Sequence, residues 1–406
     1  MADHQIPDTW KTEHLIVLVG GNPLPNYIAA KVLLRDNGIL HLLYSPNTAA
    51  ICERLKVHFQ HELHQLSDPG DGMLIETVIN DLIDKVKHSG SIGLHYTGGT
   101  KAMAVHSYNA LMRQLPAAIC TYLDARTFRL VSPQHAESHS VQYTEKIPLS
   151  VLADLQQVPF QSEKVVKQPR FEAINQALAE AHRGNNGPDR YAEWCRDYLR
   201  SDGRQLASEQ ADFSQPRIPL PTAGSLQSFS EQMKSTFYLD DDTFDPAALV
   251  ADQRFGFRDI EDLTHYFDGG WVENLVLQSF QAVAKECRIH ETAMTIDTDV
   301  RAANAAFDFE YDVVALQGGR LFALSCTRST QRKLCKSKLF EAYVRAMQLG
   351  GDEARVGLVC ALKEADKQSL QAEIRRLWDG DNLRFRVFGR KDLPILASQL
   401  RSWLLT

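Results

Sequence analysis

The chain has no CxxC pair, no apolar run approaching the length of a membrane span and no excess of positive charge. Its seven cysteines, Cys52, Cys120, Cys195, Cys287, Cys326, Cys335 and Cys360, are odd in number and widely scattered. That argues against a disulfide framework or a zinc ribbon and leaves reduced, mostly buried thiols. A membrane helix needs roughly 20 apolar residues, and the start MADHQIPDTWKTEH lacks the basic and apolar regions of a secretion signal. A cytoplasmic protein is therefore expected. The formal net charge of −7 speaks against constitutive, non-specific gripping of nucleic acid, because displacing condensed counterions takes a basic surface. Any such contact has to use a local basic groove.

What is present is enough apolar material for more than one core: 406 residues, 44% hydrophobic and 23% charged. Compact domains mostly run to about 100–200 residues, so two main domains and a connecting piece are expected. Residues 14–20 (HLIVLVG), 39–45 (ILHLLYS), 91–97 (SIGLHYT) and 118–123 (AICTYL) are short apolar runs ending in turn residues, as in buried parallel strands. Helical stretches are predicted near 26–36, 48–58, 73–88 and 101–114, the third with its Leu, Ile and Val along one face. This βαβ alternation predicts an α/β fold, a Rossmann-like doubly wound parallel sheet covered by helices on both sides.

In such a sheet ligands bind beyond the carboxyl ends of the strands. The loops there read Gly20-Gly21-Asn22-Pro23, Ser45-Pro46-Asn47, Thr97-Gly98-Gly99-Thr100-Lys101 and Asp124-Ala125-Arg126. The first lacks GxGxxG spacing and no acid ends the second strand, which disfavours a nicotinamide dehydrogenase. In TGGTK, two glycines admit a ligand to the backbone, Thr100 opens a helix whose positive end favours phosphate, and Lys101 adds a point charge. A tight turn with no ligand is the plainer alternative. HYTGGTKAMAVHSYNAL, preceded by VGGNPLPNYIAAKVLL, resembles the CRISPR-associated Rossmann-fold (CARF) family, sensors of cyclic oligoadenylate messengers in type III CRISPR immunity. The resemblance implies a homodimer with the ring across its two-fold axis, a symmetric ligand on duplicated patches. It places Asn22, Ser45, Gly98, Gly99, Thr100, Lys101 and Arg126 at a cyclic tetra- or hexa-adenylate.

Residues 150–200 read as helical. From 203 to 250 the pattern dissolves, with Pro216, Pro219 and Pro221 close together and an acidic run Asp240-Asp241-Asp242, so a hinge or excursion is expected there. Relatives can carry a winged-helix-like piece here, but no basic recognition helix is visible. His58, His61 and His64 (HFQHELH) have a metal-like spacing, yet steps of three rotate around a helix and zinc sites normally bring in a ligand from elsewhere. Ordinary histidines are the expectation.

Gly269-Gly270-Trp271-Val272-Glu273 opens an apolar-periodic helix with Glu273 in its first turn. Residues 307–316 (FDFEYDVVAL) and 321–326 (LFALSC) read as a hairpin joined by Gln317-Gly318-Gly319-Arg320. Alternation sends Asp308, Glu310 and Asp312 to one face and Phe307, Phe309 and Tyr311 to the other. Three acids on one face repel; a divalent metal compensates them, and an exposed edge face is the duller alternative. With the following KSKLFEAYVRAMQLGG helix and ARVGLVCAL strand, this resembles the PD-(D/E)XK restriction-endonuclease fold, and with the N-terminal part the CARF-nuclease effectors. The resemblance implies domains 1–150 (sensor), 151–255 (helical linker) and 256–406 (nuclease-like), and Mg²⁺ or Mn²⁺ held by Asp312, Glu273 and Glu310.

The second strand of that fold carries Glu-x-Lys; here it reads Ser325-Cys326-Thr327. Two readings follow. Either the missing groups have migrated, to Lys336, Lys338 and Glu341 on the next helix with Ser325 and Thr327 hydroxyls in support, or the site is dead. The first gives a messenger-activated nuclease for single-stranded DNA or RNA, with Asp312, Glu273, Ser325, Thr327 and Lys338 as its catalytic set. The second gives a receptor acting through protein partners. A third possibility is that the sensor degrades its own messenger, with Thr100 or Lys101 assisting.

Overall fold

The computed structural model describes residues 6–406 apart from 143, 161–163, 202–203, 206–216, 223, 299–308 and 378–383. The chain divides into two units: Met1–Phe160 with Leu316–Leu321 and Ala346–Ala354, and Gln161–Ala315 with Phe322–Arg345 and Arg355–Thr406.

In the first unit the apolar runs become β1 (Thr12–Leu18), β2 (Leu34–Tyr44), β4 (Ile92–His95) and β5 (Ile119–Asp124). Between them lie α1 (Leu24–Leu33), α2 (Ala49–Lys56), α3 (Gly72–Val86) and α4 (Lys101–Gln114). Three strands are added to the predicted sheet: β3 (His61–Gln65), β6 (Arg129–Ser132) and β7 (Glu137–Ser140), giving the order β3-β2-β1-β4-β5-β6-β7. The first five are parallel, and β6 and β7 continue antiparallel. The segment around His61 and His64 is thus an edge strand, not a helix. Its alternate positions are exposed, so it shows none of the apolar signal of an interior strand. α5 (Leu149–Gln156) follows.

Strand order reverses between β1 and β4. From β1 the connections run outward to β2 and β3, then return to β4 and β5, so the crevice outside the carboxyl ends of β1 and β4 is the topological switch point. One sheet face is covered by α3 and α4, whose Ile75, Ile79, Leu82, Ile83, Met103 and Leu111 bury Ile16, Leu18, Leu43 and Leu94.

The second unit begins with α6 (Glu172–Arg183) and α7 (Gly187–Tyr198). Two short ladders follow, β8 (Arg200–Ser201) with β9 (Arg204–Gln205) and β10 (Ile218–Pro219) with β11 (Thr243–Phe244). The expectation of an excursion over 203–250 is corrected for the described part. α8 (Gln227–Phe237) presents Phe229, Met233 and Phe237 at four-residue steps, and these join Phe244 and Leu249 in the same buried cluster as Trp271 and Phe280. Pro216 lies outside the described residues. The acidic run is exposed, with Asp241 paired to Arg217.

After α9 (Pro246–Ala251) and α10 (Ile260–His265), a π-helical turn over Tyr266–Gly270 leads into α11 (Trp271–Cys287). A five-stranded sheet follows in the order β12 (Glu291–Thr298), β13 (Phe309–Gln317), β14 (Arg320–Cys326), β15 (Arg355–Val359), β16 (Phe385–Phe388). α12 (Arg332–Gly350), α13 (Glu364–Leu377) and α14 (Leu396–Leu404) complete the chain. The fold is α/β, with a Rossmann-like sheet first, helices between and a separate C-terminal sheet. All seven cysteines are free and buried. Among the described residues no helix is long and apolar enough to cross a membrane.

Candidate functional site

At the switch point of the first unit, two loops meet backbone to backbone. A β-carbon on Gly98 would lie 2.1 Å from the Leu18 carbonyl oxygen, and one on Gly20 would lie 2.8 Å from the Gly99 amide nitrogen. Gly99 also has a φ of +73°, a region side chains rarely adopt. The glycines read from the sequence as room for a ligand are therefore first of all room for each other's loops. What they leave facing outward is the start of α4: Gly99, Thr100 and Lys101 are exposed. Thr100 caps the helix, its Oγ1 accepting from the Met103 amide at 3.1 Å and donating to the Pro69 carbonyl at 2.9 Å.

The other predicted ligand residues differ in availability. Ser45 is buried at the end of β2 and shares a capping box with Thr48. Arg126 is exposed in the β5–β6 turn, whose Ala125 and Arg126 carbonyls accept from the buried Arg320 guanidinium at 3.3 and 3.4 Å. Asn22 is engaged on both sides: its Oδ1 accepts from the Leu24 amide (3.1 Å) and Gln156 Nε2 (2.9 Å), and its Nδ2 donates to Glu353 Oε2 (3.1 Å).

Glu353 was not visible to sequence reasoning. It is buried, and loss of hydration pushes its carboxyl up to about 7 from an ordinary 4.5. A carboxyl raised on folding contributes its stability in full below the unfolded value and loses it as pH rises through about 7. Glu353→Gln is therefore expected to melt like wild type near pH ~4.5 and to be more stable near pH ~8, by on the order of 3 kcal/mol. Melting curves of both proteins across that range check it.

In the second unit β13 and β14 set the acidic site. Asp312 Oδ2 accepts from Ser325 Oγ at 3.0 Å and from the Cys326 amide at 2.6 Å. A cavity of about 70 Å³ brings Glu310, Asp312, Ser325, Lys338 and Glu341 together. Lys338 and Glu341, three apart on α12, share its inward face. Lys336, two residues earlier, turns away to pair with Glu373. Thr327 lies beyond the end of β14, with its hydroxyl accepting from the Ser329 amide at 3.2 Å and its own amide paired with Val359. Phe307 and Asp308 lie outside the described residues.

Glu273, in the first turn of α11, lines a larger cleft of about 850 Å³ with Glu310, Lys164, Arg170, Arg258, His265 and Asn274. Glu310 lines both cavities. Burial, then Asp312 and Glu310, raise the Glu273 carboxyl well above the usual range. Burial also raises Asp312, against the pull of the Cys326 amide and the Lys338 charge. Neighbouring, mutually repelling carboxylates with hard oxygen donors fit Mg²⁺ or Mn²⁺ in kind. They do not converge as a preformed set: among the described residues, the only trio of His, Cys, Asp or Glu ligand atoms within 4.8 Å of one another is His41, Glu62 and His64. Sequence reasoning also missed the cleft's Arg170, whose guanidinium holds Asp262 with two bonds of 2.9 and 3.0 Å. Its position after Pro169, outside any periodic run, gave no signal.

No protein-family model and no curated protein matches the sequence. Solved structures do share its fold along nearly the whole length. Protein VC1899 from Vibrio cholerae superposes with a TM-score of 0.70 at 13% identity, covering 97% of this chain and 98% of its own. Can2 from Sulfobacillus thermosulfidooxidans, in complex with cyclic tetra-adenylate, gives 0.66 at 15% identity over 96% of this chain and 99% of its own. At these identities the chain is similar to both in fold.

Proposed function

We propose that this chain is a cyclic oligoadenylate-responsive effector of type III CRISPR defence, acting as a homodimeric, messenger-activated, metal-dependent nuclease on single-stranded DNA or RNA. Residues 1–150 are its CARF-like sensor, 151–255 the helical linker and 256–406 the PD-(D/E)XK nuclease-like domain. The observation that carries this reading is the open start of α4 at the switch point: Thr100 and Lys101 stand exposed where a Rossmann-like sheet takes anionic ligands. The fold likeness to a cyclic tetra-adenylate complex supports it.

On the nuclease side, Lys338 takes the place of the missing Glu-x-Lys lysine, reaching from α12 the cavity that Asp312 lines. Its charge steadies the carboxylates and orients a phosphodiester. Ser325 and the Cys326 amide fix Asp312. Asp312, Glu273 and Glu310 would hold Mg²⁺ or Mn²⁺, which when bound supplies charge stabilisation to the phosphodiester under attack. The ring acts only by favouring one arrangement of the dimer over another.

The test is incubation of the purified protein with labelled single-stranded DNA and RNA and Mn²⁺, with and without cyclic tetra- or hexa-adenylate. Cutting that requires the ring is expected. Binding of the ring without cutting of either strand would leave a messenger receptor, the reading favoured by Ser325-Cys326-Thr327. Consumption of the ring itself would move the chemistry to Thr100 and Lys101.

A further inference from the structure

We propose that His41, Glu62 and His64 form a zinc site on the sheet of the first unit, separate from both sites above. β2 and β3 pair in parallel with His41 opposite Glu62 and Leu43 opposite His64, so the three side chains project from one sheet face. His41 Nδ1 lies 3.1 Å from His64 Nε2 and 3.7 Å from Glu62 Oε2, and His64 Nε2 lies 4.0 Å from the same oxygen. A point equidistant from these three atoms is about 2.1 Å from each, the bond length zinc takes to imidazole nitrogen and carboxylate oxygen. Two imidazoles and one carboxylate are a donor set of the kind zinc uses, leaving a fourth position for water.

The surroundings suit an ion. His41 is fully buried, while the Glu62 and His64 side chains keep 32% and 17% exposure, which gives a path from solvent. His41 Nε2 is 3.0 Å from His14 Nδ1, and His14 Nε2 is 2.9 Å from Ser89 Oγ, which donates to the Val86 carbonyl at 2.7 Å. With Ser89 donating onward, the neutral chain runs one way: His14 Nε2–H to Ser89, His41 Nε2–H to His14, leaving His41 Nδ1 as a bare lone pair. That is the second-shell arrangement that fixes a ligand histidine's tautomer. Without metal, His64 Nε2–H donates to His41 Nδ1. With zinc, the His64 proton sits on Nδ1 and none is released. Lys85 Nζ holds both Glu62 oxygens, at 3.0 and 2.9 Å, and keeps Oε1 when Oε2 takes the ion. The ion pins the exposed edge strand β3 to β2.

The experiment is titration of Zn²⁺ alone into the chelator-stripped full chain, by calorimetry and by competition with a chromophoric chelator. One site per chain is expected that His64→Gln weakens at least 100-fold. Lys85→Met, which keeps all three ligands and removes the ammonium bonded to Glu62, is expected to tighten it several-fold by removing a competing charge. A Co²⁺-loaded sample should show the visible absorption of a four-coordinate site, lost in His64→Gln. Equal zinc affinity in wild type and His64→Gln, with both folded by circular dichroism, overturns the proposal, as does weaker binding in Lys85→Met. Messenger binding is measured separately, so failure here leaves the sensor reading standing.

Discussion

Asp312→Asn is expected to lower ring-dependent cleavage about a thousandfold, because a metal-ligating carboxylate supplies several kcal/mol of transition-state stabilisation and each 1.36 kcal/mol is tenfold in rate. The substitution isolates charge from architecture. An asparagine carbonyl oxygen still accepts from Ser325 Oγ and the Cys326 amide, the two bonds that seat Asp312 between β13 and β14. Folding is helped if anything, since desolvation raises the Asp312 carboxyl. Single-turnover cleavage of labelled single strands gives the rate, and a ring-binding titration on the same sample shows the sensor unaffected. Undiminished cutting in the variant would remove Asp312 from the chemistry.

Gly98→Ala is expected to destabilise the first unit by about 3 kcal/mol, within the upper range for overpacking and strain. The obstacle is the Leu18 carbonyl oxygen, 2.1 Å from the new β-carbon, with Gly20 nitrogen at 3.0 Å. Both are backbone atoms, Leu18 at the end of β1 and Gly20 two residues beyond it, so neither can swing aside as a side-chain tip would. At roughly 2–4 °C per kcal/mol for a unit of this size, the melting temperature falls by roughly 6–12 °C. Gly21→Ala is the control: nothing lies within 4 Å of its β-carbon, and a change within about 0.5 kcal/mol is expected. Because the two loops that must move form the switch point, Gly98→Ala also loses ring affinity while Gly21→Ala keeps it. Differential scanning of the three proteins decides it; matching melts for Gly98→Ala and wild type would contradict the loop geometry.

The interior strands of the first sheet were legible because burial on both faces writes an unbroken apolar run, as in HLIVLVG and ILHLLYS. β3 was not, since HELHQ is an edge strand with alternate residues exposed, and β6 and β7 are four residues each. His41 sits inside an apolar run and reads as core; only strand pairing shows that it meets Glu62 and His64. The middle segment was misjudged because its prolines outweighed the four-residue spacing of Phe229, Met233 and Phe237. In the acidic site, period-two alternation placed Glu310 with Asp312, and of the α12 residues read as replacements, Lys338 and Glu341 line the Asp312 cavity while Lys336 pairs with Glu373. Sequence could not show that Asp312 and Glu273 line separate cavities, because that depends on side-chain direction across three elements. Nor could it show that Asn22 is already bound on both sides, since Glu353 and Gln156 are distant in the chain.

The most direct measurement is a calorimetric titration of cyclic tetra-adenylate into the purified full-length protein and into Lys101→Glu. Saturable binding at one ring per two chains, abolished when the exposed ammonium at the start of α4 becomes a carboxylate, is the predicted result. No binding of this or the hexa-adenylate ring, or equal binding by Lys101→Glu, would contradict the account.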